Sequence, residues 1–493
     1  MTKCIARAAP ILLMVPLLFT FTVPHNATGG TYNAQGSSLD SEDVSSAPAL
    51  QWIYTTDGYG FGADVRQTTD GGYILVGSTL GNPDVWLVKT DADGHEIWSR
   101  TFAGDGSEYG SSVRQTADGG YIIAGEIGTP YVPIKGQTTS SNSAGTDTES
   151  QGTETGDADI WLIKTDSDGE EIWSQRFGGE EEEESRSVCQ TSDNGYIIVG
   201  HITTREEFIS EVSVNGTVED ITLEIIQPGG AAIWLIKTDV NGNEIWNKTF
   251  SGNSYDYSSE VRQTAGGGYI IVGRTSSYGA GKRDVWLIKT DANGNEIWNK
   301  TFGGSANDTG QSVSQTTDSG YIITGYTTSY GVGEEDLWLI KTDHDGNLIW
   351  SKTFGGADDD FGTSVCQTAS GGYIVAGYTK SFSDRLSDVW LIKTDADGNM
   401  TWHQTFDADG NEYGSSVIQT ADWGYLVAGQ SSSRMMLLKY QPDSVEVGIP
   451  LKQVDDLTPG LMPSLATWLL VGGIAAAAFS IIAYVFWRNR HRP

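Results

Sequence analysis

The tetrad V-x-Q-T occurs seven times, beginning at Val65, Val113, Val188, Val261, Val313, Val365 and Val417. Successive copies stand 48, 75, 73, 52, 52 and 52 residues apart. A chain that repeats one unit of this size builds one module per unit and buries its core between neighbours. The first six units keep the same order: V-x-Q-T, a turn rich in Asp and Gly, G-Y-[IL]-[ILV]-x-G, W-L-[IV]-K-T, and a D-x-[DN]-G turn before a Trp-bearing run. The G-Y tyrosines are Tyr73, Tyr121, Tyr196, Tyr269, Tyr321, Tyr373 and Tyr425. The four runs of a unit are short and rich in Val, Ile, Tyr, Trp and Thr, which is strand composition. Gly-rich joins such as those at 116–120 and 291–295 suit hairpins. Four hairpin-linked strands, repeated seven times, predict an all-β chain folded as a seven-bladed β-propeller of four-stranded blades. A parallel solenoid would not need four hairpin-linked strands per repeat.

The same pattern predicts how the ring closes. Six outermost strands follow their own blades, carrying Trp98, Trp173, Trp246, Trp298, Trp350 and Trp402. The seventh unit ends at Tyr440 without one, while an orphan strand at 51–55, carrying Trp52, precedes the first V-x-Q-T. That strand is expected to complete the last blade and leave no open edge.

The hairpin between third and fourth strands, LIKTDANGNEIW at 287–298, resembles the quinoprotein-type (PQQ-like) propeller repeat. The Gly-to-Trp step, Gly94 to Trp98 and Gly294 to Trp298, matches that family, while the Asp-to-Gly step is one residue shorter. The resemblance covers roughly residues 51–440 and implies a propeller. It implies that Trp52, Trp98, Trp173, Trp246, Trp298, Trp350 and Trp402 dock blade against blade. It does not carry the family's enzyme, because no adjacent cysteine pair and no fitting cluster of unrepeated acids is present. Tandem repeats of this kind also resemble those of archaeal and bacterial surface proteins.

A residue present in every blade encodes the fold, so a ligand site is sought where one blade departs from the others. Five residues before each V-x-Q-T valine stand Glu108, Glu183, Asp256, Asp308, Asp360 and Glu412, with Gly60 in the first unit. They could ring the channel mouth as a cation site, with calcium the open candidate. Their repetition favours a local role instead, accepting hydrogen bonds from backbone N–H groups of their own loops. The acid run at 180–184 reads as a solvated loop, and the D-x-[DN]-G turns lack the later ligands of a calcium-binding loop. The residue after each valine varies, as Arg66, Arg114, Cys189, Arg262, Ser314, Cys366 and Ile418, and is placed to tune the channel. Cys189 and Cys366 belong to separate blades and are expected to stay unpaired. No metal-ligand spacing is present, and no cofactor is expected.

The two long spacings come from inserts, set at 126–158 and 201–231, in the loop between second and third strands of adjacent blades. The first is rich in Ser, Thr, Gly and acids and reads as disordered. The second carries Asn-Gly between two β-like runs and predicts a projecting hairpin. Residues 1–27 read as a secretion signal and 28–50 as a linker. Residues 441–464 read as a stalk, and 465–487 as 23 residues without a charge, long enough to span a bilayer. The basic tail at 488–493 places that end in the cytoplasm and the propeller outside. Sequons at Asn26, Asn215, Asn247, Asn299, Asn307 and Asn399 are candidate glycosylation sites. The formal charge of −34 disfavours nucleic acid. The expected function is a cell-surface binding module for an extracellular protein or glycan, met through the inserts. An enzyme acting on an extracellular polymer and a structural envelope protein are the alternatives.

Overall fold

The computed structural model describes residues 47–443, apart from 105, 129–157, 180, 204–229, 384–385 and 409. The chain divides into two units, Met1–Asp443 and Ser444–Pro493. The second unit, the signal, most of the linker and stalk, and the spanning segment at 465–487 lie outside the described residues. Among the described residues no helix is long and apolar enough to cross a membrane.

Among the described residues twenty-eight strands form seven four-stranded sheets, each antiparallel. Blades 1 to 6 are the four-strand runs at 60–102, 108–177, 182–250, 256–302, 308–354 and 360–406. Blade 7 takes three strands from 412–440, and its outermost strand is Leu50–Thr55, the first of the chain. That strand runs antiparallel to Arg434–Tyr440, with Ile53 opposite Leu438. The expected closure is what the chain does.

The hydrophobic core lies between blades rather than within them. One cluster joins Ile74, Val76 and Leu87 of blade 1 to Val113, Ile123 and Trp161 of blade 2. Another joins Val65 and Leu75 of blade 1 to Leu426 and Leu437 of blade 7. A blade alone would expose both of its apolar faces, so the ring folds only as a ring.

Hydrogen bonds repeat this logic. The Gln of every V-x-Q-T accepts a bond from the turn of the preceding blade at 2.8 or 2.9 Å, as in Thr69 N to Gln115 Oε1. The seventh bond, from Ala421 N to Gln67 Oε1, joins the last blade to the first. In five of the six copies of W-L-[IV]-K-T the lysine is buried below the same turn, and Lys89 Nζ lies 3.0 Å from Asp70.

The inserts leave from one face, here called the top, where innermost strands begin and second strands end. Strand extends into the ends of both inserts: the second strand of blade 2 reaches Gly128 and that of blade 3 reaches Thr203. Third strands resume at Ala158 and Ala231. The predicted hairpin at 208–226 lies outside the described residues.

Candidate functional site

The outer tryptophans sit at the seams. The Trp98 ring lies 2.6 Å from where a Cβ on Gly169 of the next blade would stand, and Trp52 lies 2.7 Å from the same point on Gly94. Trp173, Trp246, Trp298 and Trp350 meet Gly242, Gly294, Gly346 and Gly398 in the same way. Each of these glycines has positive φ, so turn geometry and the ring both exclude a side chain. Trp402 has no such glycine, because blade 7 borrows its outer strand. Its indole N–H donates instead to Asp443 Oδ1 at 2.9 Å, and the Tyr425 hydroxyl donates to Asp443 Oδ2 at 2.7 Å. The first residues of the predicted stalk therefore belong to the propeller.

The repeated acids Glu108, Glu183, Asp256, Asp308, Asp360 and Glu412 are all buried. Asp256, Asp308 and Asp360 each accept a backbone N–H from their own loop, from Gly252, Gly304 and Gly356, at 2.8 to 2.9 Å. Glu108 and Glu183 accept from Gly106 and Gly179 at 3.1 and 3.3 Å. These acids thus organise the loops that enter the innermost strands, at the seams between blades. Blade 1 has Gly60 there because a Cβ would lie 2.5 Å from the Ser78 carbonyl oxygen. Within the run at 180–184, residues 182–184 are not a solvated loop: Glu182 opens an innermost strand, and Glu183 is buried. Cys189 and Cys366 are free thiols, and the Cys189 thiol donates to the Val261 carbonyl at 3.3 Å. Asn247, Asn299 and Asn399 are exposed and Asn307 is partly so, while Asn26 and Asn215 lie outside the described residues.

The innermost strands surround an axial cavity of about 100 Å³. The residue before each V-x-Q-T valine is serine in five blades, at Ser112, Ser187, Ser312, Ser364 and Ser416. Blades 1 and 4 carry Asp64 and Glu260 instead. Both acids take over the seam hydrogen bond that Ser112, Ser312 and Ser364 make. Asp64 accepts from Val113 N at 3.2 Å and Glu260 from Val313 N at 2.9 Å, as Ser364 does from Val417 N at 3.1 Å. Their spare charge meets the variable arginines. Asp64 is 2.9 Å from Arg66 and also pairs with Arg114, which reaches Glu260 at 4.0 Å, and Glu260 pairs with Arg262. Burial alone would raise the Asp64 carboxyl, yet Arg66 and Arg114 hold it at about 2. Burial, with Arg114 nearby, draws Arg66 down to about 9. An ionic lattice thus crosses the waist of the channel.

Above this waist lies the larger departure from the repeat. The residue after the glycine of G-Y-x-x-x-G is Ser78, Glu126, His201, Arg274, Tyr326, Tyr378 and Gln430 around the ring. Each pairs across to the innermost strand, opposite Phe61, Tyr109, Glu184, Tyr257, Thr309, Phe361 and Tyr413. These positions lie two residues toward the top face from cavity-lining Ala63, Ser111 and Arg186. Opposed residues of an antiparallel pair share a face, so the two rows form one collar.

The collar has two unlike halves. On blades 5 to 7, Phe361 stacks on Tyr378 at 4.6 Å, with Tyr326 and Tyr413 edge-on at 4.8 and 4.7 Å. On blades 2 to 4, His201 is 1% exposed and lies 3.3 Å from Glu184, which also pairs with Arg186. The Arg274 guanidinium sits 4.5 Å over the Tyr257 ring, and His201 meets that ring edge-on at 4.7 Å. Two nitrogens here are buried without a hydrogen-bond partner, His201 Nδ1 and Arg274 Nε. The bond from His201, with Arg186 beside it, holds the Glu184 carboxyl at about 2. Burial and the Glu184 charge push the Glu126 carboxyl up to about 8. Apart from Glu184, within the acid run at 180–184, the sequence points to no residue of either row. The signal was available as an inner position that carries six different residue types in seven units.

No family model matches the chain, and no curated protein matches it. Solved structures similar to it include YCF48 bound to D1 peptide, at 11% identity and a TM-score of 0.44, covering 82% of this chain and 99% of that one. The Neurospora crassa Pan2 WD40 domain is similar at 10% identity and 0.44, covering 78% and 89%. A protein of unknown function from Bacteroides caccae is similar at 10% identity and 0.39, covering 68% and 94%. The chain is a β-propeller on the topology of its own strands.

Proposed function

We propose that this protein is a surface binding module, anchored by 465–487 with its propeller outside, that takes an acidic extracellular glycan at the top collar of the axial channel. The observation that carries this is the collar itself, the place where a highly repetitive chain stops repeating. Half-buried aromatic rings suit the apolar face of a sugar. Arginines suit its carboxylate, which a fork of N–H groups binds best. Arg66, Arg114, Arg186, Arg262 and Arg274 outnumber Asp64, Glu184 and Glu260 along the axis, within a chain of charge −34. Such a local field draws an anion to the axis even though the surface repels it. Both inserts leave the wall two residues beyond Glu126 and His201, so they can extend the same surface.

One observation favours the enzyme alternative. Glu126 keeps its proton to about 8 while Glu184 is ionised to about 2, and carboxyls pushed apart in this way are the mark of an acid and a base. Hydrolysis would have Glu126 give its proton to the leaving glycosidic oxygen while water attacks the sugar carbon. Glu184 is a poor base for that water, being already committed to His201 and Arg186, so binding is the better reading. The quinoprotein likeness is attributed to shared blade docking, Trp against Gly, rather than to shared catalysis.

The test is titration of the full-length protein with uronate-bearing and neutral oligosaccharides, beside Arg274→Gln and Tyr378→Ala. Uronate binding that each variant weakens about tenfold, a loss of about 1.4 kcal/mol, supports the proposal. Binding that both variants leave intact contradicts it, and release of shortened sugars would establish the enzyme.

A further inference from the structure

At three seams the repeat brings two carboxylates to one glycine. A Cβ on Gly303 would lie 2.0 Å from Asp284 Oδ1 and 2.7 Å from Asp308 Oδ2. Gly355 is enclosed in the same way by Asp336 and Asp360, and Gly178 by Asp159 and Glu183. This residue directly follows the Phe that ends the outermost strand. At the seam between blades 6 and 7 it is Asp407, so a third carboxylate stands where those three seams have a hydrogen atom. One oxygen each from Asp388, Asp407 and Glu412 all lie within 4.8 Å of one another.

A second departure lies on Glu412. In blades 4, 5 and 6 the matching acid is held by two hydroxyls: Asp256 by Thr275 and Ser277, Asp308 by Thr327 and Ser329, and Asp360 by Thr379 and Ser381. Blade 7 keeps only the first, with Ser431 Oγ donating to Glu412 Oε1 at 3.0 Å. Its second-to-third strand connection is cut to Ser432 and Ser433, both at positive φ, so no serine arrives for the second oxygen. Glu412 is fully buried and its Oε2 has no hydrogen-bond partner. A buried oxygen with no donor beside two further carboxylates is costly unless a cation joins them.

We propose that Asp388, Asp407 and Glu412 form a Ca2+ site that pins blade 6 to blade 7. The donors are all oxygen, which selects a hard cation. Ca2+ holds oxygens at about 2.3–2.6 Å, so ligands up to ~5 Å apart can share it, and it accepts irregular shells. Asp407 is exposed, which leaves the ion a route in and room for water. Affinity is expected at a Kd on the order of 0.1–1 mM, the range of sites with few protein ligands. This site does not depend on the collar or its ligand.

The experiment is calorimetric titration of chelator-treated, full-length protein with Ca2+ and separately Mg2+, with melting followed in parallel. Two variants accompany it, Asp407→Gly and Glu412→Gln. Asp407→Gly installs the residue found at three other seams, so the fold is expected to keep its ion-free melting temperature. Because a charge of −34 lets any cation stabilise the chain a little, the variant decides. A saturable Ca2+ site that Asp407→Gly weakens about tenfold or more bears the proposal out. Equal Ca2+ response in wild type and Asp407→Gly, no saturable binding in the wild type, or equal affinity for Mg2+ would overturn it.

Discussion

The rings of Trp52 and Tyr73 lie 6.0 Å apart across the seam where the chain's first strand meets its first blade. The six other seams repeat the pair, from Trp98 with Tyr121 to Trp402 with Tyr425, at 5.7 to 6.1 Å. Only at this one does the tryptophan come from a strand that precedes every repeat. Replacing Trp52 with Ala should lower stability by about 2–3 kcal/mol, less than a fully buried tryptophan because the ring is half-exposed. Chemical denaturation of the variant checks this, and an unchanged midpoint would remove the latch from the account.

Gly94 and Gly71 separate two causes. Both have positive φ, +84° and +88°, but only Gly94 has a neighbour, the Trp52 ring. Gly71→Ala should cost about 1 kcal/mol from backbone strain alone. Gly94→Ala should cost at least twice that, since the strain adds to displacement of the ring. Equal losses in a melting series would mean that the docking contact contributes nothing.

The collar predicts a pH dependence. Glu126 releases its proton near 4.5 when unfolded and at about 8 when folded. Between these values the native state holds the extra proton, so this contribution to stability is full below 4.5 and is lost as pH rises to about 8. Glu184 acts oppositely: its folded value of about 2 lies below its unfolded one, so its contribution is present above 4.5 and lost as pH falls toward 2. Glu126→Gln should therefore melt higher than wild type at pH 8 but not at pH 5. A constant difference between the variants across that range would show that the carboxyl is not held in its acid form.

Two thiols should titrate in the denatured body, one each from Cys189 and Cys366, and reductant should not change the melting temperature. Burial raises the Cys366 thiol, so alkylation of that residue in the native protein should be slow near neutral pH. Rapid native alkylation of Cys366 would contradict the raised thiol.

The architecture was legible because each blade states the same four strands, and the missing outer strand after Tyr440 matched the extra one at 51–55. Repetition also hid the site. Glu126, His201 and Arg274 stand in three separate blades and meet only when the ring closes, so no local motif joins them. The acids that did attract notice, such as Asp308, repeat because each organises its own loop. Asp443 was assigned to a stalk on composition, yet it supplies the acceptor that Trp402 would otherwise lack. Glu184 was assigned to a solvated run because its neighbours are acidic, although strand alternation carries it into the channel wall.

The central claim is that ligand enters at the top collar, and hydrogen exchange with and without a bound uronate oligosaccharide tests it most directly. The prediction is new protection at 109–126, 184–201, 257–274 and 361–378, with little change in the outermost strands at 96–102 and 296–302. Protection confined to those outer strands, or to the opposite turns at 68–72 and 316–320, would contradict it.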